Sequence, residues 1–104
     1  MKIQFNTDKT ISGEESKEDY YNAMIAKELK RFQSHISRIE VHIKDENGNK
    51  EGLNDKFCTI EARLEGMRPI AVSDQAGSIE KAVSGAIEKL KTALDTILGK
   101  LQNR

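Results

Sequence analysis

The chain has no tryptophan, one proline and one cysteine among its 104 residues. Cys58 alone cannot form an intramolecular disulfide or supply a zinc cluster, so the cysteine usage is compatible with a reducing cytoplasm. No apolar run approaches the roughly 18 residues of a membrane span. The opening Met1-Lys2-Ile3-Gln4-Phe5 lacks the apolar stretch of a signal peptide, and neither membrane insertion nor secretion is expected. Net charge is missing too: 17 basic residues cancel 17 acidic ones. Attraction for a charged partner must therefore come from local segregation of charge.

What is present is the balance of a globular domain, with 37% hydrophobic residues and 33% charged ones. One domain over residues 1–104 is the expected organisation. Charge does segregate. The net is −3 from Glu14 to Asp19, +3 from Lys27 to Lys44 and −3 again from Asp45 to Asp55.

Period two in Lys2-Ile3-Gln4-Phe5-Asn6 predicts a half-buried strand. From Glu14 the period changes. Tyr21, Ile25, Leu29, Phe32 and Ile36, with Tyr20 and Met24 alongside, predict an amphipathic helix that fades near Ser34. Ser12 suits its N-cap, with Glu15 completing a capping box. Alternation returns with Ile39, Val41 and Ile43 on one side and Arg38, Glu40, His42 and Lys44 on the other. Asn47-Gly48 signals a hairpin. The next strand turns Cys58, Ile60, Ala62 and Leu64 inward and Phe57, Thr59, Glu61 and Arg63 outward. Pro69 opens Ile70-Ala71-Val72, which fits an edge strand because proline gives up a ladder donor. After Gly77, the stripe Ile79, Val83, Ala86, Ile87, Leu90, Leu94, Ile97, Leu98 and Leu101 predicts a long helix capped by Ser78, with Gly85 and Gly99 on its polar side. The order β-α-β-β-β-α calls for an α+β fold of two layers, a four-stranded sheet with both helices packed on one face.

Catalysis finds little support. The chain has no GxGxxG, GK[ST] or HExxH pattern, and Gly48 and Gly52 read as hairpin glycines. His35, near the end of the first helix, and His42, on an outward strand face, are not expected to share a metal. Cys58 falls on an inward register, where a free thiol is a small core hydrophobe rather than a nucleophile. No catalytic residue, metal, cofactor or small-molecule substrate is expected.

Two stripes could carry binding. Lys27, Arg31, Ser34 and Arg38 would line up on the first helix for as long as it lasts, with Lys30 beside them. Lys81, Lys89, Thr92 and Lys100 share a sector of the second helix of about 100°. Side by side, these faces would offer a basic patch to a phosphate backbone, with Ser34 and Thr92 adding neutral hydrogen bonds. Against this stands an ordinary solvated face in which Glu28, Glu88 and Asp95 neutralise the bases. Tyr20 and Tyr21 fall on the apolar stripe and are expected in the core.

The segments Arg38-Ile39-Glu40-Val41-His42-Ile43, Cys58 to Gly66, Pro69-Ile70-Ala71-Val72-Ser73 and Ala82 to Leu90 together resemble the family of ribosome hibernation-promoting factors and ribosome-associated inhibitors, also called sigma-54 modulation proteins. The step Glu88-Lys89-Leu90 matches the family's acid-Lys-Leu in the second helix. The resemblance implies a fold like that of double-stranded-RNA-binding domains, here in a short single-domain form. It also implies a non-enzymatic, cytoplasmic protein of the stress response, which binds small-subunit ribosomal RNA at the channel for messenger and transfer RNA. The resemblance carries over Lys89 directly and Lys27, Lys30, Arg31 and Arg38 as a basic region; with Lys81 and Lys100 from the stripe of the second helix, these make up the expected RNA-binding set. The sequence departs from the family in Ala93-Leu94-Asp95-Thr96-Ile97-Leu98-Gly99, nearly devoid of positive charge where relatives continue with lysines and arginines. The rival expectation is a protein-interaction module on the same fold that has lost RNA binding. One contiguous positive patch would favour RNA, and interspersed carboxylates would favour the module.

Overall fold

A computed structural model describes residues 1–7, 18–45 and 55–102, with side chains for 1–7, 18–44 and 55–99. The elements run β1 (Lys2–Thr7), α1 (Glu18–Glu28), a 3-10 turn (Lys30–Phe32), β2 (Ile36–Asp45), β3 (Lys56–Leu64), β4 (Ile70–Ala76) and α2 (Ile79–Gln102). The strands form a single sheet in the order β1-β2-β3-β4. The β1–β2 pair is parallel, with Ile3 beside Ile39, and the two later pairs are antiparallel. This is the expected α+β architecture.

Alternation decides which side of the sheet is covered. Ile39, Val41 and Ile43 of β2 and Cys58, Ile60, Ala62 and Leu64 of β3 are buried together with Val83, Ala86, Ile87, Leu90 and Leu94 of α2. The long helix is thus laid on the apolar face by the match of period 3.6 to period two. Ser78 caps it: the amide of Lys81 donates to the Ser78 Oγ at 3.2 Å. This leaves one fewer orphan donor in the first turn. On the sequence-distal side of β3, Gly66 takes a left-handed φ of 72° in the turn into β4. Pro69 precedes β4, which is an edge strand as expected.

The first helix is shorter than its stripe. It stops at Glu28, and the chain tightens into three-residue steps, with the Phe32 amide bonding the Leu29 carbonyl at 2.9 Å and His35 bonding Phe32 at 2.9 Å. Leu29 and Phe32 remain buried, because a 3-10 turn keeps positions three apart on one side as a helix does. Ile36, the last member of the stripe, already belongs to β2. A register irregularity between Ile36 and Arg38 inserts Ser37 and lets Ile36 and Ile39 both face the core. The proposed Ser12 cap and the Asn47-Gly48 hairpin lie outside the described residues.

Candidate nucleic-acid interface

The two helices run side by side in the same direction, as their cross-contacts show. Tyr20 meets Glu80 at 3.3 Å, Met24 meets Ser84 at 3.9 Å, Glu28 meets Lys91 at 3.2 Å and Arg31 meets Asp95 at 2.9 Å. Positions advance together along both segments. The seam between them is therefore lined by polar and charged groups over an apolar floor.

Charges alternate along this seam. Lys91 sits between Glu28 at 3.2 Å and Glu88 at 3.5 Å, and its ammonium is held above its ordinary pKa mainly by the hydrogen bond to Glu28. Arg31 makes a forked pair with Asp95, Nη1 to Oδ1 at 2.9 Å and Nη2 to Oδ2 at 2.9 Å. Its guanidinium also stands over the Phe32 ring, 4.3 Å from the centroid. Beneath that fork lies a cleft of about 440 Å³ lined by Arg31, Phe32, His35, Asp95, Leu98 and Gly99.

Of the bases expected to bind, Lys27 stands exposed in the last turn of α1, Lys30 exposed in the 3-10 turn after it and Lys81 exposed near the start of α2. None of the three has a carboxylate within ion-pair distance among the described residues. Lys89 is elsewhere. It lies on the flank of α2 facing β4, with its Nζ 2.8 Å from the Ser73 carbonyl and 3.1 Å from Asp74 Oδ1. The Lys100 side chain lies outside the described set.

Arg38 leaves the helix stripe and takes the outward strand position that alternation gave it. The helix ends before reaching it, and Arg38 projects from β2 on the open side of the sheet, donating to Gln4 and pairing with Glu40 at 2.9 Å. It therefore does not share a surface with Lys27 and Arg31. In register it stands between Lys2 of β1 and Arg63 of β3. The bases do not form one contiguous patch. Glu28, Glu88 and Asp95 divide those of the seam, and Asp74 holds the lysine on the far flank.

Three further placements correct the sequence reading. Tyr20 is 51% exposed; only Tyr21 enters the core, where its ring stacks on Phe5 at 5.9 Å. The nearby charge of Glu80 raises the Tyr20 phenol's pKa. Gly85 faces β4 rather than solvent, and a side chain there would collide with the Asp74 carboxylate. Lys91, absent from the expected binding set, is the lysine that ties the helices together. Its position four residues before Asp95 carried no sign of this, since its partner Glu28 is remote in sequence.

Cys58 is fully buried. Burial, helped by the charge of Asp74 across the strand pair, pushes its thiol up from 9.0 to about 12. It is a core residue and a poor nucleophile. Among the described residues no group of three or more His, Cys, Asp or Glu side chains could hold a metal ion, and no helix is long and apolar enough to cross a membrane.

No curated protein sequence matches the chain. Its fold is similar to that of a ribosomal subunit interface protein from Coxiella burnetii, with a TM-score of 0.72 at 20% identity over 95% of this chain and 99% of that one. It is also similar to the N-terminal domain of Protein Y from Thermus thermophilus, with a TM-score of 0.73 at 16% identity over 93% of this chain and 99% of that one. Residues 18–102, which hold both helices and three of the four strands, match the sigma 54 modulation protein / S30EA ribosomal protein family, and the chain belongs to that family.

Proposed function

We propose that the protein is a non-enzymatic, cytoplasmic translation inhibitor and hibernation factor that binds small-subunit ribosomal RNA in the channel for messenger and transfer RNA. The observation that carries this reading is the family match over residues 18–102. The family's ribosome-associated, translation-regulating character is what it brings to this chain. Lys27 at the end of α1, Lys30 and Arg31 in the 3-10 turn after it, and Lys81 on α2 supply the phosphate contacts. Lys89 stands apart on the β4 flank, held by Asp74 at 3.1 Å, and would reach RNA only along that side of the second helix.

About three to five phosphate contacts would give a log-log salt slope of roughly −2 to −5. Sedimentation with purified small subunits at several salt concentrations measures it. The double variant Lys27→Glu, Lys30→Glu should weaken binding and flatten the slope without unfolding the domain, since both side chains are exposed and free of carboxylates among the described residues. The reversal Glu14→Lys, Glu18→Lys should not weaken association. Salt-independent binding, or undiminished binding by the double variant, would overturn the basic-surface mechanism.

The interspersed carboxylates of the helix seam favour a second reading, a protein-interaction module that has lost RNA binding. Absence of ribosome association even at low salt would put that reading first.

A further inference from the structure

The fork between Arg31 and Asp95 has the geometry with which a guanidinium takes a phosphate: two parallel N–H donors on two oxygens of one anionic group. Both bonds are 2.9 Å, and both side chains are more than half exposed, at 58% and 51%. The guanidinium lies over the Phe32 ring, its Cζ 4.3 Å from the centroid. The Arg31–Asp95 pair also lines, with His35, Leu98 and Gly99, a cleft of about 440 Å³. The arginine is oriented for an oxyanion and holds one supplied by the neighbouring helix.

We propose that Asp95 is an internal competitor for the RNA phosphate, an affinity-setting residue that must release Arg31 before that arginine can contact a backbone phosphate. The inference rests on the RNA-binding reading above and adds to it a named residue with an opposing sign. Exposed ion pairs are weak enough for a polyanion to displace them. The exchange costs the site one contact's worth of attraction while leaving Arg31 positioned. Lys91, flanked by two carboxylates, is held more firmly and contributes no exchangeable contact.

The test compares wild type with Asp95→Asn, Arg31→Gln and the double variant in binding to purified small ribosomal subunits at several salt concentrations. Asp95→Asn removes the competing charge at constant size, so its thermal midpoint should stay within about 5 °C of wild type. Its binding should tighten about two- to tenfold at low salt, because the exchange no longer has to break the Arg31–Asp95 pair, while the salt slope should stay close to that of wild type, since the same phosphates are contacted. Arg31→Gln should bind no tighter than wild type. In the double variant the gain should disappear, which separates freeing Arg31 from a general change of net charge. A wild type that binds with a salt slope, alongside an Asp95→Asn variant of unchanged affinity, overturns the competitor role and leaves the RNA-binding reading standing. Equal tightening in the Asp95→Asn and double variants also overturns it, since Arg31 would then be irrelevant. Failure of both wild type and Asp95→Asn to bind at low salt overturns the inference together with the reading beneath it.

Discussion

The two helices lie on the same sheet face but are held there differently. The longer, α2, spans 24 residues and buries Ala82, Val83, Ala86, Ile87, Leu90, Leu94 and Leu98. The shorter, α1, spans 11 residues and buries Tyr21 and Ile25. The segment after it completes its stripe through Leu29 and Phe32. One helix is secured by a broad apolar footprint. The other is secured by a narrow one and by the charged seam it shares with the first. A short helix is marginal alone and takes its stability from its packing, which makes the cationic end of α1 the more adjustable part of the helix layer.

That contrast can be broken most directly in the footprint of α2. Leu90→Ala should cost about 2–5 kcal/mol, whereas Met24→Ala, in the half-buried seam of α1, should cost about 1 kcal/mol. Equal losses in denaturant unfolding would remove the asymmetry. Next in size is the pH dependence contributed by Cys58, on the helix side of β3. Its thiol is raised in the folded state, so its contribution is complete below the ordinary value of 9.0 and is lost as pH climbs toward about 12. The unfolded chain gives up a proton that the folded one keeps, at up to about 1.4 kcal/mol per pH unit. The stability of wild type relative to Cys58→Ala should decline across that window; a flat difference would mean the thiol is solvated.

Smaller effects distinguish the two glycines of α2. Gly85→Ala would set a methyl against Asp74 and strain the Asp74–Lys89 pair, at about 1–2 kcal/mol. In an Asp74→Ala background the same change should become neutral or favourable. A methyl added at Gly99 would meet nothing within 4 Å, so Gly99→Ala should stabilise by up to about 1 kcal/mol through helix propensity. Thermal unfolding of the four variants reads both signs, and a stabilising Gly85→Ala in the wild-type background would refute the close approach of helix and strand.

The strands were legible because alternation is a local signal: Ile39, Val41 and Ile43 sort from Glu40, His42 and Lys44 with no knowledge of what covers them. The end of α1 was not. A stripe spaced by three and four is satisfied equally by a helix and by a 3-10 turn entering a strand, so Phe32 and Ile36 extended the expected helix beyond its true limit. Arg38 was counted with the helix stripe for the same reason, although the strand alternation had already set it on the outward face. The charges of the candidate interface were readable one by one, with Glu28, Glu88 and Asp95 recognised as neutralising candidates. Their partners were not readable, because Arg31 meets Asp95 and Lys91 meets Glu28 across more than 60 positions of sequence. Gly85 appeared as a polar-face glycine because helical spacing alone does not say that Asp74 of β4 approaches from that side.

The parallel pairing of β1 with β2 carries a consequence for the order of assembly. Ile70 and Ala62 pair across a short turn, but Lys2 finds its partner at Arg38 only after an intervening crossover. Closing the larger loop costs more chain entropy before any contact repays it. We expect β2, β3, β4 and α2 to form the nucleus, with β1 and α1 docking afterwards, and the amides of β1 to exchange with solvent ahead of those of β3. Folding would then run against the direction of synthesis, so that the strand made first is the last to be fixed.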